Sequence, residues 1–182
     1  MAEKISELIS EEYVDAKIRE LGKQISEDYK GKSVHLVCIL KGSIFFTCEL
    51  AKRITVPVTL DFISASSYGS GTVSSGNILI KKDLDEDIAG KDVIIVEDII
   101  DSGRTLTKLV AMLKDRNPAS LEVATLLDKP ERREFEMEAK YTCFTIPDEF
   151  VVGFGLDYDQ KYRDLPYIGV VEIDENNEND NN

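Results

Sequence analysis

The chain has 182 residues, 42% apolar and 31% charged, a size and composition that suit one soluble globular domain with its own core. Its net charge of −13 disfavours indiscriminate nucleic-acid binding, and no apolar run approaches the ~18 residues of a membrane span. Three cysteines, Cys38, Cys48 and Cys143, are odd in number and lack a CxxC spacing, which argues against a disulfide framework or a zinc site.

The opening MAEKISELISEEY is charged and amphipathic, without the apolar core of a secretory signal, and predicts a cytoplasmic protein. From Ser10 to Lys30, Val14, Ile18, Leu21 and Ile25 follow helical spacing, and Gly31 ends the pattern. VHLVCIL (34–40) is a continuous apolar run of strand length, as in strands buried on both faces of a parallel sheet. Lys41-Gly42-Ser43 breaks it. Ser43 can then cap a helix to about Arg53 that turns Ile44, Phe45 and Leu50 inward. The cysteines read as buried small hydrophobes, and His35, the sole histidine, as a core or strand-edge residue. A Ser-His-Asp or Cys-His mechanism therefore has almost nothing to draw on.

VPVTLDFISA (56–65) predicts another strand. SSYGSGTVSSG (66–76) cannot build a core and reads as a long mobile loop of the functional kind. NILIKKD (77–83) is the returning strand, and LDEDIAGKD (84–92) a polar connection with room for one helical turn. VIIVEDIIDSGRTL (93–106) runs strand, turn, helix, with Leu106, Leu109, Val110 and Leu113 at helical spacing up to Asn117-Pro118. LEVATLLD (121–128) is strand again, and YTCFTI, FVVGFGLD and YIGVVE close the chain as short strands. Residues 174–182 belong to an acidic, Asn-rich tail that reads as disordered; without the five acids from 172 onward the chain still carries −8. Strands alternating with helices imply an α/β fold with a mostly parallel sheet, whose ligands bind at the carboxyl ends of the strands.

The acid-rich turn lies at that edge. Asp101-Ser102-Gly103-Arg104-Thr105 leads into a helix whose first N–H groups lack partners and attract an anion; Ser102 and Thr105 add hydroxyls, and Gly103 permits close approach. Neither GxxxxGK[ST] nor a GxGxxG at a strand-to-helix turn is present. Glu97 and Asp98, just before this cradle, can accept from sugar hydroxyls and hold a hard cation. A phosphorylated ribose satisfies both features. The same residues also suit a helix capped by Asp101 behind solvated strand-end acids, and spacing alone leaves both readings open.

VIIVEDIIDSGRTL resembles the 5-phosphoribosyl 1-pyrophosphate (PRPP) motif of the type I phosphoribosyltransferases, and its EDIID form resembles the hypoxanthine-guanine branch. CILKGS (38–43), SSYGSGTVSSG, LLDKPERR (126–133) and FVVGFGLDYDQKYRDLPYIGVV (150–171) follow in the family's order. The likeness spans roughly residues 5–173, implying one domain with a central mostly parallel sheet, a hood from both chain ends and a lid loop.

The resemblance implies magnesium as cofactor, PRPP and a 6-oxopurine as substrates, and a homodimer or homotetramer. It assigns Asp101 beside purine N7 as general acid/base, and Glu97 and Asp98 to the ribose hydroxyls and magnesium. Asp101, Ser102, Gly103, Arg104 and Thr105 wrap the 5′-phosphate, with Arg104 at a position that varies in the family. Lys41-Gly42 forms the pyrophosphate loop, in which a non-proline cis peptide precedes the lysine, and Arg163 binds pyrophosphate. Lys129 meets the 6-oxygen, Phe150 stacks on the base, and Val151 reads its edge. Asp157 lies near a second magnesium and the purine 2-position, and Ser67-Tyr68 belongs to the lid. Read without the family, Lys41 is a solvent-exposed strand-end lysine, Lys129 a surface lysine in a charged run, and Phe150 a core aromatic. A PRPP-sensing regulator on the same fold would carry a nucleic-acid-binding element, which this acidic chain lacks. Orotate, uracil or adenine transfer fits Lys129 and FVVGFGLDY less well than oxopurine transfer.

Overall fold

The computed structural model describes residues 3–67 and 78–173. The chain opens on a strand absent from the sequence reading, β1 (Glu3–Ile9), whose antiparallel partner lies at the other end of the chain. Helix α1 (Glu11–Asp28) follows, capped by Ser10, whose hydroxyl accepts from the Tyr13 N–H at 3.3 Å. Its buried stripe contains Val14, Ile18, Leu21 and Ile25, and Gly31 at φ +79° turns the chain away beyond it.

Strand β2 (Val34–Ile39) is buried at every residue, as a continuous apolar run requires. Helix α2 (Ile44–Ala51) corrects two expectations. Ser43 makes no side-chain cap, because its hydroxyl donates back to the Ile39 carbonyl at 2.6 Å. Leu50 faces the core as predicted, but Phe46 and Thr47 accompany it while Ile44 and Phe45 are exposed. Cys48 is also exposed, whereas Cys38 and Cys143 are buried.

Strand β3 (Val58–Ser67) pairs antiparallel with β4 (Ile78–Lys82), Ser67 lying opposite Ile78. The connection after β4 holds no helical turn and is anchored by the fully buried Ile88. Strand β5 (Asp92–Ile100), helix α3 (Arg104–Lys114), β6 (Ser120–Asp128), a 3₁₀ turn (Pro130–Arg132) and β7 (Tyr141–Thr145) complete the main body. β8 (Val151–Val152) and β9 (Ile168–Ile173) end it. FVVGFGLD supplies only two strand residues before Gly153 and Gly155, at φ +96° and +104°, turn the chain out.

The main sheet runs β4-β3-β2-β5-β6-β7, parallel except for β4. Alternate residues of its strands feed two cores. Leu36, Ile94, Val96 and Leu126 pack beneath α1 and α2, while Val37, Ile95 and Val123 pack with Leu106, Leu109 and Leu113 of α3 on the opposite side. This is the α/β architecture expected from the strand–helix alternation. A second antiparallel sheet, β1-β9-β8, joins the two ends of the chain.

Candidate active site

Strand order reverses between β2 and β5: β3 lies beyond one and β6 beyond the other. The crevice at such a reversal is where open α/β sheets take ligands. The loops after β2 and β5 flank it, bringing Lys41-Gly42 and Asp101–Thr105 to the same edge.

A cavity of about 140 Å³ is lined by Glu97, Ile99 and every residue from Ile100 to Leu106. Gly103, at φ +78°, occupies the N-cap of α3, and the Arg104 N–H donates to the Ser102 hydroxyl at 3.3 Å. Asp101 therefore does not cap the helix, which removes the plain N-cap reading of the motif. The first turn of α3 presents main-chain N–H groups to a concave surface, suited to an anion.

Glu97 and Asp98 lie within β5 rather than beyond it, at its carboxyl end. The Ile99 N–H donates to Asp98 at 2.7 Å and the Asp98 N–H to Glu97 at 3.1 Å. Burial raises the Glu97 carboxyl well above its ordinary range, and the adjacent Asp98 charge adds to the rise. Burial also raises Asp98, against its hydrogen bond to Glu97, backbone N–H groups and the Arg163 charge. Arg163 is the one positive charge among the described residues felt by the pair, at Asp98, and it does not offset the burial. Among the described residues no group of three or more His, Cys, Asp or Glu side chains could enclose a metal. A cation here would draw its remaining oxygens from substrate and water, as magnesium commonly does. The donor set fits that ion.

The Leu40–Lys41 peptide is cis, the feature implied for the pyrophosphate loop. Lys41 Nζ donates to Gln160 Oε1 at 3.3 Å. Arg163 pairs with Asp157 at 2.6 Å, donates to the Gly155 carbonyl at 2.6 Å and reaches Gln160 at 3.5 Å. Two glycines permit this packing. A Cβ on Gly42 would stand 1.5 Å from Asp98 Oδ2, and one on Gly155 1.9 Å from the Gly42 carbonyl oxygen.

Lys129, at the end of β6, is only 6% exposed, and its N–H donates to the Ile100 carbonyl. A buried ammonium needs compensation; Asp148 Oδ1 stands 3.6 Å from Nζ. Phe150 is 53% exposed, edge-on to Tyr158 at 5.5 Å between ring centroids, while Val151 is buried in β8. Both plain readings fail here: the surface lysine is buried and the core aromatic is open. Ser67 is the last described residue of β3, and Tyr68 with the rest of the expected lid lies outside the described residues. So do the tail residues 174–182.

Three neighbours escaped the sequence reading. Arg132 Nε lies 3.1 Å from Asp101 Oδ1, Arg132 Nη1 lies 3.4 Å from Asp148, and Gln160 bridges Lys41 and Arg163. All three sit inside or beside recognised motifs, but no local pattern says which of several adjacent polar residues turns inward.

The chain matches the family model described as a phosphoribosyl transferase domain over residues 7–159. It is 54% identical over 165 residues to a hypoxanthine-guanine phosphoribosyltransferase of Streptococcus thermophilus, covering 91% of this chain and 92% of the relative. It is 52% identical over 178 residues to a hypoxanthine phosphoribosyltransferase of Salmonella typhimurium, covering 96% of this chain and 100% of the relative. Among solved structures, a hypoxanthine-guanine phosphoribosyltransferase of Bacillus anthracis superposes with a TM-score of 0.89 at 48% identity, over 93% of this chain and 100% of that one.

Proposed function

The chain belongs to the phosphoribosyltransferase family, and from that premise we propose that it salvages 6-oxopurines, hypoxanthine and also guanine, using PRPP. What supports the reading is the cavity before the α3 N-terminus, lined by Glu97 and Asp101–Thr105, with the buried Lys129 on the adjoining strand end, its N–H bonded to the Ile100 carbonyl.

The α3 N-terminus with Ser102, Gly103, Arg104 and Thr105 holds the 5′-phosphate, and Glu97 and Asp98 accept from the ribose hydroxyls. Lys41 and Arg163 bind the pyrophosphate oxygens, Arg163 leaving its pairing with Asp157 to do so. Glu97 and Asp98 would hold a magnesium ion, and Asp157 a second, which when bound would supply positive charge to the donor's oxygens. Phe150 offers an open ring face to the base, with Val151 along its edge.

Lys129 can donate but cannot accept, so it favours a 6-oxygen over a 6-amino group. In the transfer, N9 forms a bond to the ribose anomeric carbon as the bond to pyrophosphate breaks, and pyrophosphate departs with the electron pair. The base proton passes from N7 to Asp101, and a purine ribonucleoside 5′-monophosphate remains. No protein nucleophile is required; orientation and charge placement lower the barrier.

The β1-β9-β8 sheet forms a hood, and the exposed Ile44 and Phe45 support assembly into a dimer or tetramer. Free cysteines among the described residues agree with action in the reducing cytoplasm.

An absorbance assay offering hypoxanthine, guanine, xanthine, adenine, uracil and orotate in parallel, with PRPP and magnesium, tests the reading. Turnover of hypoxanthine or guanine with adenine silent is expected. Silence with all six sinks the enzyme reading.

A further inference from the structure

Resting on the transfer reading above, we propose that Arg132 is a positioning residue for the purine, tying Asp101 at the N7 edge to Asp148 and thence to Lys129 at the 6-oxygen. A purine carries N7 and its 6-oxygen side by side on one edge. The groups assigned to them come from different elements, Asp101 from the turn after β5 and Lys129 from the end of β6. Something must hold them in register.

The structure places four alternating charges across that gap. Arg132 Nε stands 3.1 Å from Asp101 Oδ1 and its Nη1 3.4 Å from Asp148 Oδ1, the same oxygen that lies 3.6 Å from Lys129 Nζ. Arg132 is fixed at its root, since it ends the 3₁₀ turn begun by Pro130 and its N–H donates to the Lys129 carbonyl at 3.3 Å. The partner of Asp101 and the lysine assigned to the 6-oxygen thus share one short segment, Lys129 to Arg132.

Stability does not account for the arrangement. Both the Arg132 and Asp101 side chains are about half exposed, 54% and 45%, and such pairs contribute little to folding. Asp101 Oδ1 is shielded from solvent yet makes no aligned hydrogen bond among the described residues. The guanidinium is a close charge without the geometry of a donor, so the oxygen keeps its capacity to accept from the base.

The test compares wild type, Arg132→Ala, Arg132→Lys, Asp148→Asn and the Arg132→Ala/Asp148→Asn double variant in steady-state assays varying hypoxanthine and PRPP separately. Arg132→Ala is expected to lower kcat/KM for hypoxanthine about tenfold, the scale of a small misplacement at a reacting centre. KM for PRPP should stay within about twofold and the melting temperature within about 2 °C. Arg132→Lys should recover part of the loss. Adding Asp148→Asn to Arg132→Ala should cost less than it does in the wild type, because one link cannot be broken twice.

Wild-type protein inactive in the same run defeats the transfer reading itself. With active wild type, an unchanged or faster Arg132→Ala overturns the positioning role, the faster result showing an obstruction. An equal loss toward PRPP, or full additivity with Asp148→Asn, also overturns it.

Discussion

Glu97 and Asp98 are adjacent carboxylates that the fold makes reluctant to ionise. In the unfolded chain Glu97 loses its proton near the usual value of about 4.3. In the folded protein it does so higher, so between those values the native state binds more protons than the unfolded one. Stability from this group therefore falls as pH rises through that window, and the deficit persists at neutral pH. Glu97→Gln removes the penalty. Without divalent cations its melting temperature at pH 7 should exceed wild type by about 3 °C, with the gap closing near pH 4. Turnover should fall, and the gain in melting temperature that magnesium with PRPP gives wild type should shrink. Thermal melts from pH 4 to 8 decide it; a variant no more stable than wild type at pH 7 refutes the argument. At this scale the sequence was legible where motif and chemistry coincided, as in the EDIID acids. It was opaque where burial decides: Lys129 sits in a charged run yet is buried, and Phe150 sits in an apolar run yet is open.

Two loops carry the residues proposed to bind pyrophosphate, and they interlock through glycines. Gly155 has φ +104°, unfavourable for any side chain, and its missing Cβ makes room for the Gly42 carbonyl. Gly155→Ala must both strain its own backbone and displace the Lys41-Gly42 loop, whose carbonyl oxygen stands 1.9 Å from the new Cβ. A destabilisation of about 2–4 kcal/mol is expected from the combination, read by urea denaturation. KM for PRPP should rise more than KM for hypoxanthine, since the displaced loop is the one proposed to face the leaving group; the reverse order would place the loop elsewhere in the chemistry. Neither close approach is visible as a pattern. Elements were legible when their signal was local, as in the 3.6-residue stripe of α1 and the unbroken run of β2. Strand β1 was not, because its alternation becomes meaningful only beside β9, paired through Ile5 and Val171. Helix α2 was assigned partly the wrong inward face for another reason: IFFTCELA is apolar almost all round, and composition without periodicity gives no direction.

The whole molecule carries −13 and, on the proposed reaction, must gather an anionic donor into a crevice lined by two acids, Glu97 and Asp101. In the proposed site Lys41, Arg163 and the α3 N-terminus attract the phosphates at contact distance, but Arg163 is paired with Asp157 and Lys41 with the Gln160 amide, which mutes their field farther out. Beyond a Debye length only the summed charge of the protein remains, and its sign opposes approach. Salt should therefore assist capture of PRPP. Raising inert salt from 10 to 100 mM shortens the screening length from about 30 Å to about 10 Å, removing long-range repulsion while leaving contact pairs largely intact. At fixed free magnesium, kcat/KM for PRPP is expected to rise by about twofold. The value for hypoxanthine, a neutral base that feels no such field, should hold steady, which separates the effect from a general action of salt on the fold. A fall in kcat/KM for PRPP over the same range would mean that the local cations govern encounter as well as binding, and that the acidic exterior is electrostatically silent at the mouth of the site.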